Sequence, residues 1–482
     1  MPYLKTLILR YNEPVSILPL ALFRIVYGAI LVICSLRYFY RDYIFQDYIE
    51  PTVLFPMLPW IPRLPDMWMC LPFVGMLVGA VGILLGWRFR FHAWLFCISW
   101  LYVFVMDVSL YNNHYYLMVL LTFLLAITDS HRLLSLDVRR VPHLKTLEVP
   151  AWQLFLFQFQ VGVLYFYGGL SKIHPQWLDG TIMHFLAGGV RDHYLLGPVF
   201  ANDVAIWVWT YTGLFFDLGV GFLLFWKPTR RWALWGCVGF HLLNEFVLFS
   251  SQSRNGNIGM FPMMGLAMCL VFLDKAAYAS FFLRVRGAID ALLDQRTVSS
   301  QPALKSNPER RLSQKKVQPM GPWVVVFIGI YMLVQVGLPF RRMLFPDYLW
   351  TREGLLFGWT MKLSTYPSRN IIRFKLQDPD SGLSMDVDLR NSLTYRQYLQ
   401  MCHSPYMVWL YAQYISEAQY APMKHALARQ GKPMPSKLEV YVYRSEVALH
   451  TPTVYPLIDP NVNLAAVDYK YWSHNEWILL RR

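Results

Sequence analysis

The chain has 482 residues, of which 55% are hydrophobic, 17% aromatic and only 15% charged, and its mean hydropathy is +0.31. About a quarter of an average soluble chain is charged, so a soluble enzyme, a disordered protein and a small secreted scaffold are all excluded. The net charge of +14 comes from 44 Lys+Arg against 30 Asp+Glu. These basic residues lie between apolar runs and form no stripe interleaved with exposed aromatics, which argues against a nucleic-acid partner.

Nine apolar runs approach the length needed to cross about 30 Å of hydrocarbon. They are Ser16–Leu36, Leu71–Trp87, Phe91–Val108, Tyr115–Thr128, Trp152–Leu170, Val204–Trp226, Trp232–Ser250, Ile258–Leu273 and Pro322–Pro339. The expected fold is mainly α, a polytopic membrane helix bundle of about nine transmembrane helices. The first run is too long for a signal peptide and lacks a small-residue cleavage site, so it is expected to span. If the runs alternate, every strongly basic loop falls on one side: Lys5 and Arg10, Arg88 and Arg90, Arg132 to Lys145, Lys227 to Arg231, and the linker Lys275–Met320. Lysine and arginine in short loops favour the cytoplasm, which predicts a cytoplasmic amino terminus.

The expected organisation is a transmembrane bundle over 1–274, a basic cytoplasmic linker over 275–320, a last transmembrane helix over 321–340 and an extracytoplasmic α+β domain over 341–482. In that last segment Asn370–Gln377 and Leu383–Leu389 alternate around the turn residues Asp378 to Gly382, a hairpin signal. Thr394–Glu417 has helical texture, and Leu438–Tyr443 is strand-like. Cys70 and Cys402 fall at or beyond the extracytoplasmic face, where a disulfide between them could persist. No CxxC or HExxH spacing occurs, so no metal site is expected.

Ionisable groups within apolar spans cost roughly 2.5–3.5 kcal/mol each at a helix centre and are functional candidates for that reason. The chain has Arg24, the triplet Asn112-Asn113-His114, Lys172, Asp217 and the pair His241 and Asn244 with neighbouring Glu245. The expected topology gathers most of them near the extracytoplasmic face, as one polar pocket. Each has a structural alternative. Arg24 and Asp217 would form a buried ion pair. His241 and Asn244, spaced i, i+3, would share a face and hydrogen-bond between helices. Lys172 would snorkel to the interface, and Asn112-Asn113 would cap the next helix.

These same residues lie in motifs that resemble the vitamin K-dependent γ-glutamyl carboxylase family and its bacterial HTTM-domain relatives. The matching blocks are Leu22–Gly28, Trp100–His131, Tyr165–Met183 with the pattern Gly169-x-x-Lys172-x-x-x-x-Trp177-x-x-Gly180, Leu214–Phe225, and Phe240-His241-x-x-Asn244 followed by Ile258–Pro262. They run in order over nearly the whole chain. The resemblance implies that Lys172 is the base that deprotonates vitamin K hydroquinone, a task requiring a neutral lysine, which burial favours. Dioxygen then adds, the quinone ends as its epoxide, and a γ-proton is removed from glutamate so that carbon dioxide can be taken up. It further implies that His114 supports this catalysis, that Asn112, Asn113, His241 and Asn244 bind the quinol, and that Trp359 contacts the glutamyl substrate.

The sequence departs from the family beyond Trp359, where the family's histidine and arginine are missing. Lys362 or Arg369 would then hold the carboxylate. Ser250–Asn257 is read as an insertion beside the pocket, and propeptide docking is not implied. The expected partners are the lipid bilayer, the membrane quinone pool and a glutamyl protein or peptide. The expected location is a bacterial inner membrane, with the endoplasmic reticulum as the alternative. An epoxidase without carboxylation, or a non-catalytic quinone- or lipid-binding protein, are the competing functional readings.

Overall fold

The computed structural model describes residues 9–188, 197–245, 260–274, 321–360, 370–429, 436–449 and 453–481. The basic linker, the insertion Ser250–Asn257, Lys362 and Arg369 lie outside them.

A short antiparallel clip, β1 (Pro14–Ser16) with β2 (Glu148–Pro150), ties the entries to two long helices together. The helices are α1 (Leu18–Tyr40), α2 (Cys70–Leu85), α3 (Phe89–Met106), α4 (Asn113–Ile127), α5 (Ala151–Ser171), α6 (Asp203–Phe225), α7 (Lys227–Leu243), α8 (Phe261–Cys269) and α9 (Pro322–Phe340). Each from α1 to α8 touches the next, and α8 returns to α1, so the contacts close a circuit. Helix α9 packs outside it against α5. Polar pairs fix that packing: Tyr331 donates to Gln160 at 2.6 Å and Gln335 to Tyr116 at 3.1 Å. In lipid there is little hydrophobic drive between helices, so such bonds and close packing set the position of a span.

Among the described residues, six helices have the length and apolarity to cross a bilayer: Leu18–Tyr40, Asp66–Leu85, Phe89–Met106, Ala151–Ser171, Asp203–Phe225 and Pro322–Leu344. The other expected spans correspond to shorter helices, Asn113–Ile127, Phe261–Phe272 and the basic-ended Lys227–Leu243. The protein is an integral membrane helix bundle.

The expected ion pair between Arg24 and Asp217 does not form. The Arg24 guanidinium, fully buried, donates to the carbonyls of Ile83 at 2.8 Å, Leu84 at 2.9 Å and Leu134 at 2.6 Å. The first two are terminal carbonyls of α2, beyond the reach of the helix's i to i+4 ladder, with Ile83 also accepting from the capping Gly86 amide at 3.2 Å, and a cation there suits the helix dipole.

The carboxyl-terminal region is α+β, with an antiparallel sheet of order β4-β3-β5-β6. It comprises β3 (Ile371–Gln377), β4 (Ser384–Asp386), β5 (Glu439–Val447) and β6 (Tyr455–Pro456). The expected hairpin is present, with Gln377 opposite Ser384. The helical stretch is divided at Cys402 into α10 (Tyr395–Met401), opened by a capping box of Thr394 and Gln397, and α11 (Pro405–Arg429). Cys70 and Cys402 are both free thiols, and Cys402 is enclosed in the core of the α+β domain, so the possible disulfide is not made.

This domain is fastened to the far end of α3 from the basic loop at Arg88. Gln397 donates to Asp107 at 3.0 Å and to the Val53 carbonyl at 2.8 Å, while Arg396 pairs with Asp47 at 3.3 Å. Burial raises the Asp107 carboxyl to about 6, against the hydrogen bonds from Ser109 and Gln397. A carboxyl raised above its ordinary value contributes most stability below about pH 4 and loses that contribution as pH rises through about 6. Burial lowers His403 to about 3, which has the opposite effect in acid, so the difference between two proteins is the useful measure. Thermal melts from pH 4 to pH 7 should show the Asp107→Asn variant gaining stability relative to wild type as pH rises. A constant difference would remove Asp107 as a titrating element of the junction.

Candidate functional site

Between the bundle and the α+β domain lies a cavity of about 1300 Å³. Its wall includes Asn112, Asn113, His114, Tyr165, Lys172, Trp177, Phe216, Asp217 and Asn244, and on the domain side Arg341, Arg352, Thr360, Tyr406, Tyr469, Lys470 and Tyr471.

Lys172 caps the end of α5 and is buried, with its ammonium nitrogen 2.7 Å from Asp217 Oδ2 and 3.1 Å from the Gly213 carbonyl. The nitrogen also lies 4.7 Å from the centre of the Trp177 ring, a cation–π distance. Lys172 therefore does not snorkel. The glycine motif explains how this is built. A Cβ at Gly169 would stand 2.6 Å from the Leu218 nitrogen, so only glycine lets α5 and α6 approach closely enough for Lys172 to meet Asp217. Gly180, at φ +78°, then supplies the left-handed turn after the short helix Pro175–Leu178 that carries Trp177. The Trp177 indole is held by donation to the Thr210 carbonyl at 3.1 Å.

The structure brings most of the expected residues to this cavity but divides their roles. Asn112 caps α4 by accepting from the His114 amide at 3.2 Å. The Asn113 side chain is a bridge: it accepts from Tyr111 at 3.0 Å and donates to the Thr360 carbonyl at 2.8 Å, joining bundle to domain. The His114 ring lies on the wall, 5.3 Å from that of Phe261. His241 is fully buried and is not a lining residue; its Nε2 is 2.7 Å from the Tyr165 hydroxyl, which is. It therefore meets the wall through Tyr165, while Asn244 lines the wall directly.

Trp359 does not line the cavity either. It is wholly buried, 5.1 Å from the Tyr116 ring, where its bulk fills the junction behind the wall. The structure thus places Trp359 behind the wall, where no direct contact with a ligand in the cavity is made, and the neighbouring Thr360 reaches the wall. Sequence reasoning also missed Tyr165 as a partner of His241, Tyr111, and Arg341. Tyr165 and Tyr111 fall within the motif blocks Tyr165–Met183 and Trp100–His131, the one signal that could have found them.

The cavity is largely apolar. Phe104, Tyr116, Phe216, Phe240 and Phe261 supply apolar surface around a small polar set, the usual composition of a small-molecule site. Among the described residues no group of three or more His, Cys, Asp or Glu is placed to hold a metal ion.

Comparison with protein families gives two matches that together follow this architecture. The model described as HTTM domain matches residues 12–276. The model described as vitamin K-dependent gamma-carboxylase, lumenal domain, matches residues 320–482. No solved structure matches the chain.

Proposed function

The chain belongs to the vitamin K-dependent gamma-carboxylase family, and on that premise we propose that it oxygenates vitamin K hydroquinone to the epoxide and couples this to carboxylation of a glutamyl side chain. The observation that carries the reading is the buried Lys172–Asp217 pair on the wall of an apolar cavity. The quinol, when bound, supplies the reducing carbon framework to which dioxygen adds. Carbon dioxide enters as the second co-substrate.

What the protein supplies is proton placement. Lys172 must offer a lone pair to a quinol hydroxyl, and burial alone is an incomplete account of how, because a carboxyl group sits against the amine. The pair carries no net charge whether the proton rests on nitrogen or on oxygen. Asp217 Oδ1 is buried and makes no hydrogen bond among the described residues, so it is an unused acceptor on which the proton that Lys172 gives up can rest. Lys172, as neutral amine, then takes the quinol proton as general base. Trp177 and the Gly213 carbonyl keep the nitrogen in place. His114, with the Tyr165–His241 pair on the same cavity, stands where hydrogen-bond donors can stabilise developing negative charge in a low-dielectric site.

The reading includes a bilayer orientation. The basic loop at Arg88 and the α+β domain lie at opposite ends of α3, and the charge rule puts the basic end in the cytoplasm. The domain then faces the extracytoplasmic side, and the quinol arrives laterally from the membrane pool.

The test supplies purified protein with reduced vitamin K, dioxygen, labelled bicarbonate and a glutamyl peptide, and measures both products. Epoxide together with labelled peptide is expected. Epoxide alone would support the uncoupled epoxidase, and bound quinol with neither product would support a binding protein.

A further inference from the structure

The cavity has two chemically different sides. On the bundle side the charges cancel, because Lys172 is bonded to Asp217. On the domain side the lining residues include Arg341, Arg352 and Lys470, with no carboxylate among the described lining residues except Asp217. Lys470 is engaged with exposed Glu476 at 3.1 Å, so its charge is partly met at the surface. Arg341 differs.

Arg341 and Arg342 follow α9 directly, and the structure separates them. Arg342 is almost wholly buried, donates to the Gly358 carbonyl at 3.3 Å and lies over the Tyr348 ring. It is a packing residue. Arg341 contributes to the cavity wall, and no ion pair among the described residues includes it. Its guanidinium rests over Trp472, at 5.5 Å, and among the described residues makes one long hydrogen bond, to the Leu356 carbonyl at 3.4 Å, while Nε has no acceptor there. A partly buried guanidinium at a largely apolar wall, with its Nε buried and unpartnered among the described residues, is placed to take an anion from the cavity.

We infer that Arg341 is the anchor for a substrate carboxylate, and that the carboxylate is the side chain of a glutamyl residue. This rests on the carboxylase reading for the identity of the peptide. The expectation that fell on Lys362 or Arg369 lies outside the described residues, and Arg341 is the basic group that the described wall offers for the same carboxylate. A guanidinium suits this role because its planar donors match a carboxylate and its charge is permanent. Tyr469 and Tyr471 on the same side add polar groups to the wall around it, while the Tyr406 hydroxyl is spent on the Pro56 carbonyl at 3.2 Å.

Direct binding tests the anchor without requiring turnover. The full chain in neutral detergent is titrated with an end-capped peptide holding a single glutamate, and with its glutaminyl counterpart. Wild type is expected to favour the glutamyl peptide by about tenfold or more, the scale of a charge-assisted contact. Arg341→Gln should abolish the preference and Arg341→Lys should retain part of it, while Arg390→Gln, at an exposed surface ion pair, should leave it intact. An equal affinity of wild type for the two peptides would overturn the proposal, whatever the variants do. So would an undiminished preference in Arg341→Gln, or an effect of that variant confined to binding of an anionic phospholipid. A wild type that selects the glutamyl peptide through Arg341 yet forms no epoxide would overturn the quinol reading and leave the carboxylate anchor standing.

Discussion

Replacing Lys172 by Ala should reduce epoxide formation by about a thousandfold or more, within the range that a positioned general base contributes. The change removes the nitrogen that meets Asp217 at 2.7 Å and leaves the apolar wall for the quinol in place. Binding of reduced vitamin K should therefore persist while turnover is lost, the pattern of an interaction made in the transition state rather than in the ground state. A variant that turns over like wild type would remove Lys172 from the chemistry. Loss of quinol binding in proportion to turnover would make it a binding residue instead.

The second large effect concerns Asp217. Both side chains of the pair are buried, at 7% and 6% exposure, so removing one partner strands the other in a low-dielectric site. Asp217→Ala should destabilise the protein by about 3–5 kcal/mol. The double variant Lys172→Ala/Asp217→Ala should be more stable than the sum of the single changes indicates, by roughly 1–3 kcal/mol, because it strands no charge. It should nevertheless remain inactive. Asp217→Asn keeps the shape but cannot take the proton from the amine, so its epoxide formation should fall by about a hundredfold or more. Additive stability changes would mean that the two residues do not act as a pair. Full activity in Asp217→Asn would mean that the lysine loses its proton by another route.

Part of this site was legible before the structure. Lys172, Asp217 and the Asn112–His114 triplet were marked by the cost of polar groups in apolar runs, and the glycines around Lys172 marked a close approach. The hairpin of β3 and β4 was legible because alternation and turn residues are local signals. Partners were less so. Lys172 and Asp217 are 45 positions apart on different helices, and pairing Asp217 with Arg24 satisfied the same charge arithmetic. What decided otherwise was the set of terminal carbonyls at the end of α2, which hold Arg24 and carry no side-chain signature.

Other features were masked by composition. Aromatic residues make up 17% of the chain, so no pattern distinguished Trp359, which packs, from Tyr165, which lines the cavity. Arg341 and Arg342 look alike at the end of an apolar run, and only the fold turns one to Gly358 and the other to the cavity. The sulfur pair Cys70 and Cys402 satisfied a compartment argument, but that argument contains no distance.

The central claim is that the cavity around Lys172 and Asp217 oxygenates a quinol. Its most direct test is to give purified wild type and the Lys172→Ala variant reduced vitamin K under ¹⁸O-labelled dioxygen and analyse the product by mass spectrometry. The account predicts ¹⁸O-labelled epoxide from wild type and almost none from the variant. No labelled epoxide from a wild type that binds the quinol would contradict it, as would equal labelling by the two proteins.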